Sequence, residues 1–183
     1  MSQSPGRYQT SMAGMVGAMI VLVGCILAFV AFREVNREVP EVQPEPVDWE
    51  IAVSAAADAG HPVVAPSELP SEWIATSISF QPTDPPTFGL GVLTDDRKYV
   101  GLRQEDERRD DLLETYVDED AVEGDPIEVE GEFSGEWQTW SDEGGDTALL
   151  LQRDDDVLLV YGSAPVEDLV AFASSLRTAR SQG

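Results

Sequence analysis

"VLLVY", residues 157–161, is apolar at every position and does not alternate. A strand with one wet face alternates, so this run reads as a central strand covered on both sides. It follows "LLLQRDDD" (149–156), whose three consecutive aspartates form a tight polar turn between two strands. It precedes Pro165–Thr178, read as a helix. Pro165 suits a helix start, Glu167 and Asp168 face the positive end of the dipole, and Arg177 the negative end. Val166, Leu169, Val170, Ala173 and Leu176 line one side of that helix, which is fitted to lie over the sheet.

Working back toward the amino terminus, further strands are expected at 127–129, 136–141 and 148–153, with Gly124-Asp125-Pro126 as a break. Arg108–Val117 places Leu112, Leu113, Tyr116 and Val117 at helical spacing. "FGLGVLT" and "YVGLRQ" are two strands joined by the polar hairpin Thr94–Lys98. Trp73–Gln81 alternates, which predicts Ile74, Thr76, Ile78 and Phe80 on one face. "PVVAPSELPSEW" before it reads as turns, and Ile51–Ala59 as an alanine-rich helix ended by Gly60 and Pro62. The expected order, α-β-β-β-α-β-β-β-β-α, is an α+β domain with an antiparallel sheet packed by short helices and a C-terminal helix. Its predicted bounds are 48–180.

Ahead of the domain, residues 33–47 read as a Pro/Glu-rich linker, stiffened by the prolines of "VPEVQPEP". Residues 12–32 are 21 positions without a charge, preceded by a short tail, 1–11. As a helix they reach about 31 Å, the thickness of a bilayer core. The expectation is a single uncleaved transmembrane helix acting as a signal anchor, with the acidic domain outside the cytoplasm at the cell envelope. A second reading stays open. Leu22-Val23-Gly24-Cys25 has the form of a bacterial lipobox, which would cleave the chain before Cys25 and acylate it. The apolar run continuing through Phe32 opposes cleavage.

Charge excludes one class of function. From Glu38 onward there are 34 acids (35 less Glu34) against 8 bases (11 less Arg7, Arg33 and Arg37), and Lys98 is the only lysine. Such a surface repels nucleic acid and anionic headgroups. Catalytic chemistry has little to work with. His61 is the only histidine, Cys25 the only cysteine, and no phosphate-cradling glycine loop occurs. No catalytic, cofactor-binding or metal-binding residues are assigned. The acidic runs 118–120, 142–146 and 154–156 do not match a calcium loop. Of the tryptophans, Trp137 and Trp140 are candidate partner contacts. They stand three apart and so face opposite sides of a strand, one in the core and the other outside or under a helix.

The motifs "PVDW", "PVVAPSELPSEW", "YVGLRQ", "IEVEGEFSGEW" and "VYGSAPVEDLVAFASSL", in that order after the apolar run, resemble an actinobacterial membrane-protein family known only as domain of unknown function 4245. The resemblance implies an anchored envelope protein of unassigned activity and carries over no catalytic residue. Three functions follow as expectations: a non-catalytic module binding an envelope protein partner, a hydrolase working with carboxylates alone, and an acidic spacer.

Overall fold

The computed structural model describes residues 45–154 and 156–179, together with Met19 and Leu22, which are helical and exposed. The predicted span 12–32, including Cys25, otherwise lies outside the described residues. Among the described residues no helix is long and apolar enough to cross a membrane.

The domain is α+β, and its strand pairs are all antiparallel. The elements are α1 (Trp49–Asp58), β1 (Val64–Pro66), β2 (Ile74–Gln81), β3 (Thr87–Leu93), β4 (Tyr99–Glu105) and α2 (Arg109–Tyr116). They continue with β5 (Val122–Glu123), β6 (Ile127–Val129), β7 (Gly135–Ser141), β8 (Thr147–Gln152), β9 (Val157–Gly162), α3 (Val166–Ser175) and β10 (Leu176–Thr178).

Two meanders build the main sheet. β2-β3-β4 is one; β7-β8-β9 is the other, with β5 and β6 both on the outer edge of β7. They join at the centre through β4 and β9, where Gly101 pairs Tyr161 and Leu102 pairs Val160. The unbroken apolar run of β9 has its physical cause here: all six residues are buried, because both faces of the sheet are covered at that strand. Gly124-Asp125-Pro126 interrupts the outer edge and splits it into β5 and β6, while the Gly124 N–H still donates to the Thr139 carbonyl at 2.9 Å.

The first face of the sheet carries the larger core. Phe88, Leu90, Leu102, Leu158, Val160, Leu149 and Trp137 point there, under α1, α3 and the β1–β10 ribbon. α1 starts where Asp48 accepts the Ile51 N–H and buries Trp49, Ala56 and Ala57. α3 buries Leu169, Phe172 and Ala173. The smaller core lies on the second face, under α2, where Leu112 and Leu113 meet Ala148, Leu150, Leu159 and Tyr161.

Three expectations are corrected. The last helix ends at Ser175, not Thr178; Leu176 turns extended, and 176–178 pair with 64–66 as a two-stranded ribbon. That ribbon also removes "VVAP" from the turn reading, because Val63, Val64 and Ala65 are fully covered. Arg177 still neutralises the helix end, since its Nη1 donates to the Ser174 carbonyl at 3.0 Å from the adjoining strand. Finally, β2 is not a single alternating face. The register shifts between Ala75 and Ser77, so Ala75 joins Ile78 and Phe80 toward the first core, and Thr76 turns its hydroxyl to the Gly91 carbonyl instead.

Candidate functional site

The second face is built from cross-strand rows that the register makes explicit. One runs Ser77, Gly91, Gly101, Tyr161, Ala148, Trp140 from β2 to β7. The next runs Ser79, Gly89, Arg103, Leu159, Leu150, Gln138. Both rows begin with the smallest side chains and end with large ones. α2 packs over the large end, reaches β4 through Tyr116, and leaves the β2–β3 end to be covered by the sheet's own side chains.

The glycines are there for space. A Cβ on Gly101 would strike the Tyr161 ring, one on Gly91 the Ser77 and Tyr99 hydroxyls, and one on Gly89 the Arg103 guanidinium. Three aromatic and cationic side chains therefore lie down on bare backbone. Tyr99 and Tyr161 meet edge to face at 5.8 Å, and Tyr116 from α2 tilts against Tyr161 at 5.5 Å. Arg103 lies 4.5 Å from the Tyr116 ring centre, donates to Ser79 Oγ at 3.0 Å and faces Glu105 at 3.8 Å. Tyr116 donates to Glu105 Oε1 at 2.6 Å.

The cluster sets tyrosine hydroxyls around one cation, Arg103, and one carboxylate, Glu105. Burial, then the hydrogen bond to Glu105, pushes Tyr116 up to about 12. Burial, then the Tyr161 hydroxyl, raises Tyr99 well above the ordinary tyrosine range. Burial opposes the charge on Arg103, but the Tyr161, Tyr116 and Glu105 contacts outweigh it and hold the guanidinium protonated. With their pKa values raised, Tyr99 and Tyr116 keep their protons at neutral pH and present hydroxyls and ring faces.

The two candidate tryptophans separate. Trp137 is fully buried in the first core, with its Nε1 donating to the Phe133 carbonyl at 2.9 Å, which removes it from any contact surface of this fold. Trp140 lies on the second face at the edge of the α2 core, half-buried, with Arg109 5.4 Å from its ring centre. It shares a row with Gly91 and Gly101. Cys25 lies outside the described residues. His61 sits half-buried against Phe80 at 5.5 Å. Sequence reasoning missed Tyr99, Arg103 and Tyr161; the signal was "FGLGV" beside "YVGLR", small residues spaced two apart on neighbouring strands.

Among the described residues, no three His, Cys, Asp or Glu side chains converge as a metal site. Asp156 is the one buried carboxylate among them, and its position is structural. Oδ2 accepts from Gln104 Nε2 at 2.7 Å, and Oδ1 lies 3.1 Å from Arg153 Nε.

The chain belongs to the family described as "Protein of unknown function (DUF4245)", which it matches over residues 7–176. No curated protein matches it. Among solved structures it is similar to a chain from "The complex structure of Pseudomonas aeruginosa MucA/MucB", at 16% identity and a TM-score of 0.38. The match covers 66% of this chain and 36% of that one, so this chain spans about a third of that chain's length.

Proposed function

We propose that this protein is a non-catalytic binding module of the cell envelope, held by a single uncleaved helix at residues 12–32 with its acidic domain outside the cytoplasm. Its contact surface is the half of the second face over β2–β4. The observation that carries the reading is the pair of rows starting at Ser77 and Ser79, where glycines let Tyr99, Tyr161 and Arg103 lie flat on the sheet, with α2 reaching only the Tyr161 and Arg103 end through Tyr116. Rigid aromatic rings with hydroxyl tips, beside one guanidinium, are the side chains that dominate protein–protein recognition. They lose little rotamer entropy on contact because the sheet already fixes them. The partner is a protein of the envelope.

Two findings support a non-catalytic role. Tyr99 and Tyr116 hold their protons at neutral pH. The buried Asp156 is held by Gln104 and Arg153, and among the described residues no second buried carboxylate pairs with it for a carboxylate-only hydrolase. The anchor rests on 21 uncharged residues, and acylation of Cys25 is the competing form of attachment.

Photo-crosslinking in intact cells tests the surface. A crosslinker at Ser77 or Ser79 is expected to give a discrete protein adduct that one at Asp95, in the β3–β4 hairpin, does not. Equal yield at all three positions, or none at Ser77 and Ser79, rejects the surface. Protease accessibility of the domain, with mass spectrometry of the amino terminus, tests the topology. An intact terminus on an externally cleaved chain fits the helix anchor, and an acylated Cys25 replaces it with the lipid anchor.

A further inference from the structure

On the first face, α1 and the β1–β10 ribbon lie side by side without closing the space between them. They leave a groove of about 750 Å³. Helical spacing sorts the residues of α1 into two adjacent stripes. Trp49, Val53 and Ala57, four apart, form the apolar floor with Ala65 from β1. Glu50, Ser54 and Asp58, also four apart, form the rim. Ile51 stands beside them, 64% exposed, one of few large apolar side chains left in water among the described residues. On the opposite wall Arg177 is held in place, because its Nη1 donates to the Ser174 carbonyl at 3.0 Å and to the Leu176 carbonyl at 2.6 Å, and it keeps its positive charge. Against that one cation the groove sets Asp48, Glu50 and Asp58, so its lining is net acidic.

From this pairing we infer that the groove docks a basic peptide segment of a partner protein. One or two of its apolar side chains sit over Ala57 and Ala65, and two lysines or arginines face Glu50 and Asp58. The inference does not depend on the β2–β4 surface. Charge complementarity selects the occupant. Glu50 and Asp58 are eight helical residues apart, about 12 Å along the axis, which sets the spacing of the two cations. A second copy brings another net charge of −24 and is repelled, as is an anionic lipid surface. A bare metal ion has no use for the apolar floor, and the carboxylates here do not converge on one point.

The probe is a fluorescent helical peptide with leucines along one stripe and two lysines eight positions apart. It is titrated by anisotropy against the full chain in zwitterionic detergent, with a micelle-only titration subtracted. The Glu50→Lys/Asp58→Lys pair is expected to weaken binding by about tenfold or more. Asp142→Lys/Glu143→Lys, the same charge change in the distant β7–β8 turn, is expected to weaken it by about twofold or less. Ile51→Ser is expected to weaken it by about threefold, with the loss persisting in high salt. All variants are first checked for an unchanged thermal midpoint. Equal losses from the two charge reversals would mean that only the bulk field acts, and would overturn the inference. So would undiminished binding of a peptide whose leucines are serines, or a signal no larger than with micelles alone. Sedimentation showing self-association that Ile51→Ser abolishes would give the groove to a second copy instead.

Discussion

The two faces of the sheet are covered by opposite means. On the first, large side chains rise from the strands and three separate elements, α1, α3 and the ribbon, lie over them. On the β2–β4 half of the second, the strands carry glycine and serine, and long side chains from neighbouring positions fold down in place of a helix. The first arrangement buries area in depth, and its stability comes from the number of apolar groups removed from water. The second excludes water from the backbone with one layer of rings, of which Tyr161 is buried and Tyr99 only partly covered. One sheet thus carries its larger core on one side and, beside a smaller core, a thinly covered half on the other.

Truncation distinguishes the faces most sharply. Trp137→Ala empties the largest fully buried side chain of the first core and is expected to cost about 3–5 kcal/mol in urea denaturation. Tyr99→Ala on the thin face should cost clearly less, and equal costs would break the comparison. Filling comes next. Gly101→Val drives a side chain into the Tyr161 ring and is expected to cost about 1–3 kcal/mol. Combining it with Tyr161→Ala should cost less than the sum of the two single changes, a coupling readable in a double-mutant cycle; strict additivity would mean the glycine is not there for the ring.

A smaller effect is expected at Tyr116. Tyr116→Phe removes the hydrogen bond to Glu105 at 2.6 Å, for about 1 kcal/mol at this half-exposed site. The same residue gives a pH signature. Its folded pKa, about 12, lies above the ordinary 10, so the folded state binds the proton more tightly. That contribution is complete below pH 10 and is lost as the pH climbs toward 12. The phenolate absorbance of the native protein should rise late, and part of the delay should vanish in Tyr116→Phe. The smallest effect belongs to neither face. Asp142→Asn, in the β7–β8 turn, keeps an acceptor for the Asp146 N–H at 2.7 Å and should change stability by less than about 1 kcal/mol in the same urea assay.

Where local chemistry decided a segment, the residues announced it. The unbroken VLLVY marked the central strand, Gly124-Asp125-Pro126 the divided edge, and Leu112 with Leu113 the inner side of α2. What local chemistry does not decide was hidden. Val64–Pro66 is a strand only because 176–178, far along the chain, lies beside it. Ala75 faces inward only because β3 imposes a shifted register. The candidate surface was half visible. The three-residue spacing of Trp137 and Trp140 put them on opposite faces, but the Tyr99, Arg103 and Tyr161 layer needs three strands in register before its glycines acquire a purpose.

The ribbon has a bearing on the order of assembly. Each meander closes over short loops, so both can form early, whereas β1 must wait for β10 with more than a hundred residues between them. Until the final strand is synthesised, Val63, Val64 and Ala65 have no pairing partner on that side and remain open to solvent or to a chaperone. β10 is therefore the latch of this domain's folding, and a nascent polypeptide stopped short of Thr178 leaves β1 without its strand partner.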